Sequence, residues 1–174
     1  MLQHIINQVH KSLIKSAKTI AVAESCTGGL LSAMLTELSG SSKYFTLGVV
    51  TYSNKAKERI LGIPSSVIAK NGAVSEIVAK LMAQKVRRLA KTDFGISITG
   101  IAGPAGCAEV HTGASFSAGC GTTRKPIGTV FIAIAAKNKT LCKQFRFRGT
   151  RRSIRNKSAL EAVKLLNILV ETRF

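Results

Sequence analysis

Acid is what this chain of 174 residues has least of: eight carboxylates against 26 lysines and arginines, and one aspartate, Asp93, among the eight. Two-metal catalysis draws on several convergent carboxylates and glycosidases on a facing pair. The scattered Glu24, Glu37, Glu58, Glu76, Glu109, Glu161 and Glu171 supply no local support for either. Histidine is equally scarce, with His4, His10 and His111 the whole supply, so a Ser-His-Asp triad would have to be assembled from these and Asp93. There is no tryptophan and there are only two tyrosines, which argues against a nucleic-acid module built on base stacking. No apolar run approaches the roughly 18 residues that span a bilayer, and Met1–Ala17 carries polar residues throughout, unlike a signal peptide. A cytoplasmic address without membrane association is the expectation. The four cysteines (Cys26, Cys107, Cys120, Cys142) lack a C-x-x-C pattern and read as reduced thiols. Cys107, His111 and Cys120 share a segment but match no zinc spacing, so no metal is expected.

What is present is an ordinary globular composition, 45% hydrophobic, with a formal net charge of +18. Arg124 to Lys157 holds eleven basic residues and no acid. Such a stretch is either a solvated basic surface or a footprint for anions, and its field concentrates small anionic substrates. The length fits one domain with a self-sufficient core, and no linker or repeat interrupts it. Helical spacing predicts helices over 2–17, 30–38, 54–61, 75–91 and about 150–170. Short β-branched runs predict strands over 19–23, 45–51, 94–98, 128–136 and 141–147, the last two as a hairpin turning at Asn138. The segment 99–123 reads as loop. Alternating strands and helices make this an α/β fold, and the late hairpin makes its sheet mixed.

Four segments offer chemistry. In Ala23-Glu24-Ser25-Cys26-Thr27-Gly28-Gly29, a strand passes into a helix. Ligands of α/β sheets gather at such strand ends, where a helix N-terminus offers N–H donors and glycines admit close approach. Ser25 there suits a nucleophile; equally, Ser25 or Thr27 suits a helix N-cap. In Val49–Lys57, Lys57 lies about one helical turn past a strand end and can point back to the sheet rim. With histidine so rare, lysine is the abundant base-capable side chain, and desolvation would make it one. Tyr52 is placed to relay a proton or to donate a hydrogen bond, and the plain alternative is solvated lysines with Tyr52 in the core. Thr99, Gly100 and Gly103 open a third, glycine-rich segment after a strand. Arg151 and Arg155 share a face at i, i+4 at the start of the last helix, a pair suited to a phosphate or to plain solvation.

Seven stretches run in the order found in one family: A-E-S-C-T-G-G (23–29), G-S-S-K-Y-F (40–45), V-T-Y-S-N-K-A-K (50–57), G-A-V-S-E (72–76), S-I-T-G-I-A-G-P (97–104), K-P-I-G-T-V (125–130) and G-T-R-R-S-I-R (149–155). Nearly the whole chain thus resembles the C-terminal domain family of the competence/damage-inducible protein CinA, whose stand-alone members include nicotinamide-nucleotide amidases. The resemblance implies a single three-layer α/β/α domain over 1–174. It implies hydrolysis of nicotinamide mononucleotide to the nicotinate nucleotide and ammonia through an acyl-enzyme, with no cofactor. Carried over by motif, Ser25 is the nucleophile, assisted by Lys57, which closes Y-S-N-x-A-K, and by Tyr52. Thr27, Gly28 and Gly29 fall near the oxyanion, while Thr99, Gly100, Gly103, Arg151 and Arg155 fall to the nucleotide. The resemblance also implies a homo-oligomer. This chain departs from the family at Lys55 and Thr150, where acids are frequent, and at Cys107–Thr122, which looks like an added loop. The alternative is a non-catalytic nucleotide- or nucleic-acid-binding module that keeps the fold.

Overall fold

Ile20–Glu24 (β1) is a strand buried along its whole length, as a continuous apolar run requires when both faces of a sheet are covered. It pairs in parallel with Phe45–Val50 (β2) on one side and Phe94–Gly100 (β3) on the other. Thr129–Ala135 (β4) runs antiparallel to β3, and Thr140–Arg146 (β5) antiparallel to β4. The sheet is therefore mixed, in the order β2-β1-β3-β4-β5. The computed structural model describes residues 2–103 and 125–172. The expected added loop at 107–122, with Cys107, His111 and Cys120, lies outside them.

Helices cover both faces. Leu2–Ser16 (α1), Leu30–Thr36 (α2) and Arg151–Glu171 (α6) lie on one. There Ile6, Val9 and Leu13 of α1 and Ile154, Val163 and Leu166 of α6 pack with Val22, Ile96, Ile98, Ile132 and Ile134. Asn54–Leu61 (α3), Ser65–Asn71 (α4) and Glu76–Ala90 (α5) lie on the other. That face is built from smaller side chains: Ala21 and Ala23 meet Val78, Met82 and Val86, and Ala133 and Ala135 meet Ala79 and Ala83. The helix approaches closely as a result. A Cβ on Gly95 would stand 2.1 Å from the Ala83 carbonyl oxygen and 2.6 Å from Arg87 Cβ. The expected three-layer α/β/α architecture is the one observed. Among the described residues no helix is long and apolar enough to cross a membrane.

Besides a 3₁₀ turn at Ser41–Lys43 and an α2 that ends at Thr36 rather than 38, the elements depart from expectation in two places. Helix α4 is additional. Its seven residues contain only two large apolar side chains, Val67 and Ile68, too few to mark a helical period. Pro64, a stop signal for α3, also starts α4, its carbonyl accepting from the Val67 and Ile68 N–H groups. Strand β3 runs past Ile98 to Gly100, so Thr99 and Gly100 are strand rather than loop. The cause is nonlocal, since Thr99 pairs with Phe131 and Gly100 with Val130 of β4.

Candidate active site

The central strand delivers the first residue. Beyond Glu24, the Ser25 N–H donates to the Ile98 carbonyl at 2.9 Å, extending the β1–β3 ladder by one residue. Ser25 thus stands at the carboxyl end of the sheet, where ligands of α/β folds collect. The chain then turns sharply: Gly28 (φ 61°) and Gly29 (φ 94°) both take left-handed conformations, which strain any residue with a Cβ. The Gly28 N–H donates back to the Ser25 carbonyl at 3.1 Å.

Lys57 arrives from α3. Ser53 caps that helix, its hydroxyl accepting from the Ala56 N–H at 3.0 Å. A helical side chain leans toward its own N-terminus, and Lys57 does so, reaching back over the end of β2. Its Nζ donates to the Thr51 carbonyl at 2.8 Å and the Tyr52 carbonyl at 3.4 Å, and lies 3.3 Å from Ser25 Oγ. The lysine is fully buried and Ser25 nearly so. None of these partners is a carboxylate. Burial draws the amine's pKa down to about 8, and only a Cys26 thiolate would pull it back up. The Cys26 thiol is itself pushed up to about 12, chiefly by burial, and stays a neutral neighbour. A neutral amine has two N–H donors and one lone pair. With two carbonyls taking the donors, the lone pair is left for the Ser25 hydroxyl.

The remaining expected residues divide. Tyr52 is 55% exposed, outside the core, and its hydroxyl accepts from Arg151 Nη2 at 2.8 Å; its backbone carbonyl is what reaches Lys57. Arg155 donates through Nε and Nη2 to the Thr27 carbonyl at 3.2 and 2.6 Å. The i, i+4 arginine pair therefore separates, one member to the tyrosine and one to the turn that follows Ser25. Gly103 lets its loop close on Arg151, where a Cβ would stand 2.9 Å from Nη1. An open depression of about 520 Å³ lies alongside, lined by Leu30, Arg151, Arg152, Arg155 and Asn156. Thr99 is buried, and its hydroxyl donates to the Ala73 carbonyl at 2.8 Å, tying β3 to the segment before α5. Gly100 lies under β4, with Val130 Cγ2 2.7 Å from where its Cβ would be. Thr27 is fully buried, and among the described residues its Oγ1 has no hydrogen-bond partner.

Glu24 is the residue that sequence reasoning passed over. Its fully buried carboxylate accepts from the Gly29 N–H (3.0 Å), the Leu31 N–H (3.1 Å), the Ser32 N–H (2.8 Å) and the Ser32 hydroxyl (2.7 Å). Two expectations change. Neither Ser25 nor Thr27 caps α2: Gly29 holds the N-cap position without a side chain, and Glu24 does the capping. Three N–H donors of that helix terminus, those of Gly29, Leu31 and Ser32, are accordingly engaged. The available signal was an acid at a strand end just before a glycine turn and a helix, the sign of charge that a helix N-terminus favours.

The sequence profile of the CinA C-terminal domain matches residues 2–170. A CinA-like protein of Syntrophus aciditrophicus is 49% identical over 149 residues, covering 85% of this chain and 32% of that protein. One of Geobacter sulfurreducens is 44% identical over 148 residues, with 85% and 32% covered. The chain thus spans about a third of the length of these relatives. Among solved structures, a CinA superfamily protein of Klebsiella pneumoniae superposes with a TM-score of 0.84 at 27% identity, covering 99% of both chains. The competence/damage inducible protein CihA of Agrobacterium tumefaciens gives 0.82 at 31% identity, covering 98% of this chain and 95% of that one. By profile, relatives and fold alike, the chain belongs to the CinA C-terminal domain family.

Proposed function

We propose that this chain, as one amidase domain over 1–174, hydrolyses the carboxamide of nicotinamide mononucleotide to the nicotinate nucleotide and ammonia. One observation carries the reading: a fully buried lysine, its pKa drawn down to about 8, lies 3.3 Å from a serine hydroxyl at the end of the central strand. Neutral Lys57 takes the Ser25 proton as Oγ attacks the carboxamide carbon. The Thr27 N–H is assigned to the developing oxyanion, since the Gly28 N–H is engaged with the Ser25 carbonyl. As the tetrahedral intermediate collapses, Lys57 returns the proton to the leaving nitrogen and ammonia departs. Water then attacks the acyl-serine with Lys57 again as base, releasing the carboxylate product and restoring the serine. Tyr52 assists from the rim, its hydroxyl joined to Arg151. Arg151 and Arg152, in the basic depression, meet the nucleotide's phosphate, while Arg155 steadies the turn from beside it. The same reading includes a cytoplasmic address, a homo-oligomer and no cofactor.

Purified protein should release ammonia from nicotinamide mononucleotide in the presence of a chelator, and Ser25→Ala should abolish it. Lys57→Ala should cost about 10²–10⁴-fold in kcat, in the range of a lost general base. Lys55→Ala, at an exposed position, should cost little. Turnover unchanged in Ser25→Ala would overturn the assignment. The arginine-lined depression also suits a non-catalytic nucleotide-binding module, and nucleotide binding without ammonia release would select that reading instead.

A further inference from the structure

We propose that Glu24 is the positioning residue of the Ser25–Lys57 pair, fixing the serine through its side chain and the lysine through its backbone. The proposal rests on the amidase reading for its catalytic consequence, but not for the clamp itself. A fully buried carboxylate is costly unless its oxygens are satisfied. Glu24 has no cation among its hydrogen-bond partners; three backbone N–H groups and one hydroxyl of residues 29–32 serve instead. A neutral Ser or Asn N-cap stabilises an ordinary helix start without burying a charge, so capping alone does not explain a glutamate here. What the longer reach adds is closure. The side chain leaves the residue before Ser25 and fastens the chain from Gly29 to Ser32, so residues 25–28 form a loop pinned at both ends. On the backbone side, the Glu24 carbonyl accepts from the Thr51 N–H at 2.7 Å, and the Thr51 carbonyl accepts from Lys57 Nζ at 2.8 Å. Nucleophile and base are each one residue removed from a bond to Glu24. The carboxylate also places a negative charge and takes three N–H donors at the α2 terminus, while the arginines of α6 reach the turn and Tyr52 from the other side.

The test uses Glu24→Gln in the full chain, with Ser32→Ala as a milder second variant. Glutamine keeps the shape and one acceptor oxygen, but turns an NH₂ group toward backbone N–H donors. Circular dichroism checks that each variant folds. Amide hydrogen exchange should show protection at Gly29 and Leu31 falling at least about tenfold in Glu24→Gln. With nicotinamide mononucleotide, kcat should fall about 10–100-fold, the scale of a small misplacement of reacting groups, while KM stays within about twofold. The pH midpoint of kcat should not move. Ser32→Ala should lie between wild type and Glu24→Gln in kcat. Unchanged exchange at Gly29 and Leu31 overturns the clamp. Unchanged kcat, a rise in KM alone or a displaced pH midpoint overturns the positioning role, the last because it would mean that Glu24 acts on the lysine's charge. A wild type that neither turns over the nucleotide nor reacts at Ser25 with a fluorophosphonate would sink the amidase reading, and the exchange data would still decide the clamp.

Discussion

Lys57 and Lys55 are two positions apart on α3, which puts them on nearly opposite sides of the helix. One is fully buried and the other exposed, so the same residue type becomes a base candidate at one position and a solvated charge at the other. The buried one has consequences for stability as well as chemistry. Its folded pKa, about 8, lies below the ordinary value of 10.5, so between these limits the unfolded chain binds more protons than the folded one. Stability therefore rises with pH across that window, and the cost of burying the ammonium is greatest below pH 8. Wild type should gain about 2–3 kcal/mol relative to Lys57→Met between pH 7 and pH 10 in denaturant titrations, from the size of the shift. A difference that does not change with pH would mean that the amine is not desolvated. Tyr52 shows the reverse. Its ring and hydroxyl face outward to Arg151, and what it gives the lysine is a backbone carbonyl that any residue type would provide.

At the scale of elements, the site is a strand, a left-handed two-glycine turn and a helix start, joined to a second strand-to-helix crossing one strand away. The precision of that joint depends on how closely α5 sits on the sheet, because α5 and its neighbours hold the face from which α3 presents Lys57. At Gly95 that contact leaves no room for a Cβ. Gly95→Ala should destabilise the fold by about 1–3 kcal/mol, as overpacking does, read as a lower denaturation midpoint at unchanged m-value. Equal stability would show that α5 can lift without cost. Helix boundaries were legible where a cap announces them, as with Ser53, Ser75 and Thr150, each accepting an N–H three residues on. They were not legible for α4, too short to show a period, nor for the end of β3, which is set by a strand about thirty residues further along the chain.

At the scale of the whole molecule, the charge of +18 meets few carboxylates among the described residues. Among the described residues Lys18–Asp93 and Lys164–Glu161 are ion pairs at 2.7 and 2.6 Å, with Glu76–Lys80 a third along one helix. All three have exposed or half-exposed members, so they add little to stability. Three arginines, at 151, 152 and 155, stand near the start of α6, the end of a helix dipole that disfavours cations. Their arrangement around an open depression, with Arg155 bonded to Thr27 and Arg151 to Tyr52, is better suited to receiving an anion than to stabilising the helix. Long-range attraction of an anionic substrate should make kcat/KM fall at least about threefold between about 0.02 and 0.5 M salt, with kcat little changed. A flat dependence would show that the field does not act on the encounter.

Read alone, the residues determine the alternation of strands and helices, the mixed sheet and the strand-to-helix turns at Ser25 and Lys57, because each is written in local periodicity, caps and glycines. The shortage of histidine and acid likewise leaves lysine as the available base without any coordinates. Only the tertiary structure decides that Lys57 is desolvated, that its amine and the serine hydroxyl are neighbours, and that Arg155 and Arg151 take different partners. Those facts depend on burial and on contacts between segments up to 128 residues apart, quantities that come into being when the layers close on the sheet and that no local pattern encodes.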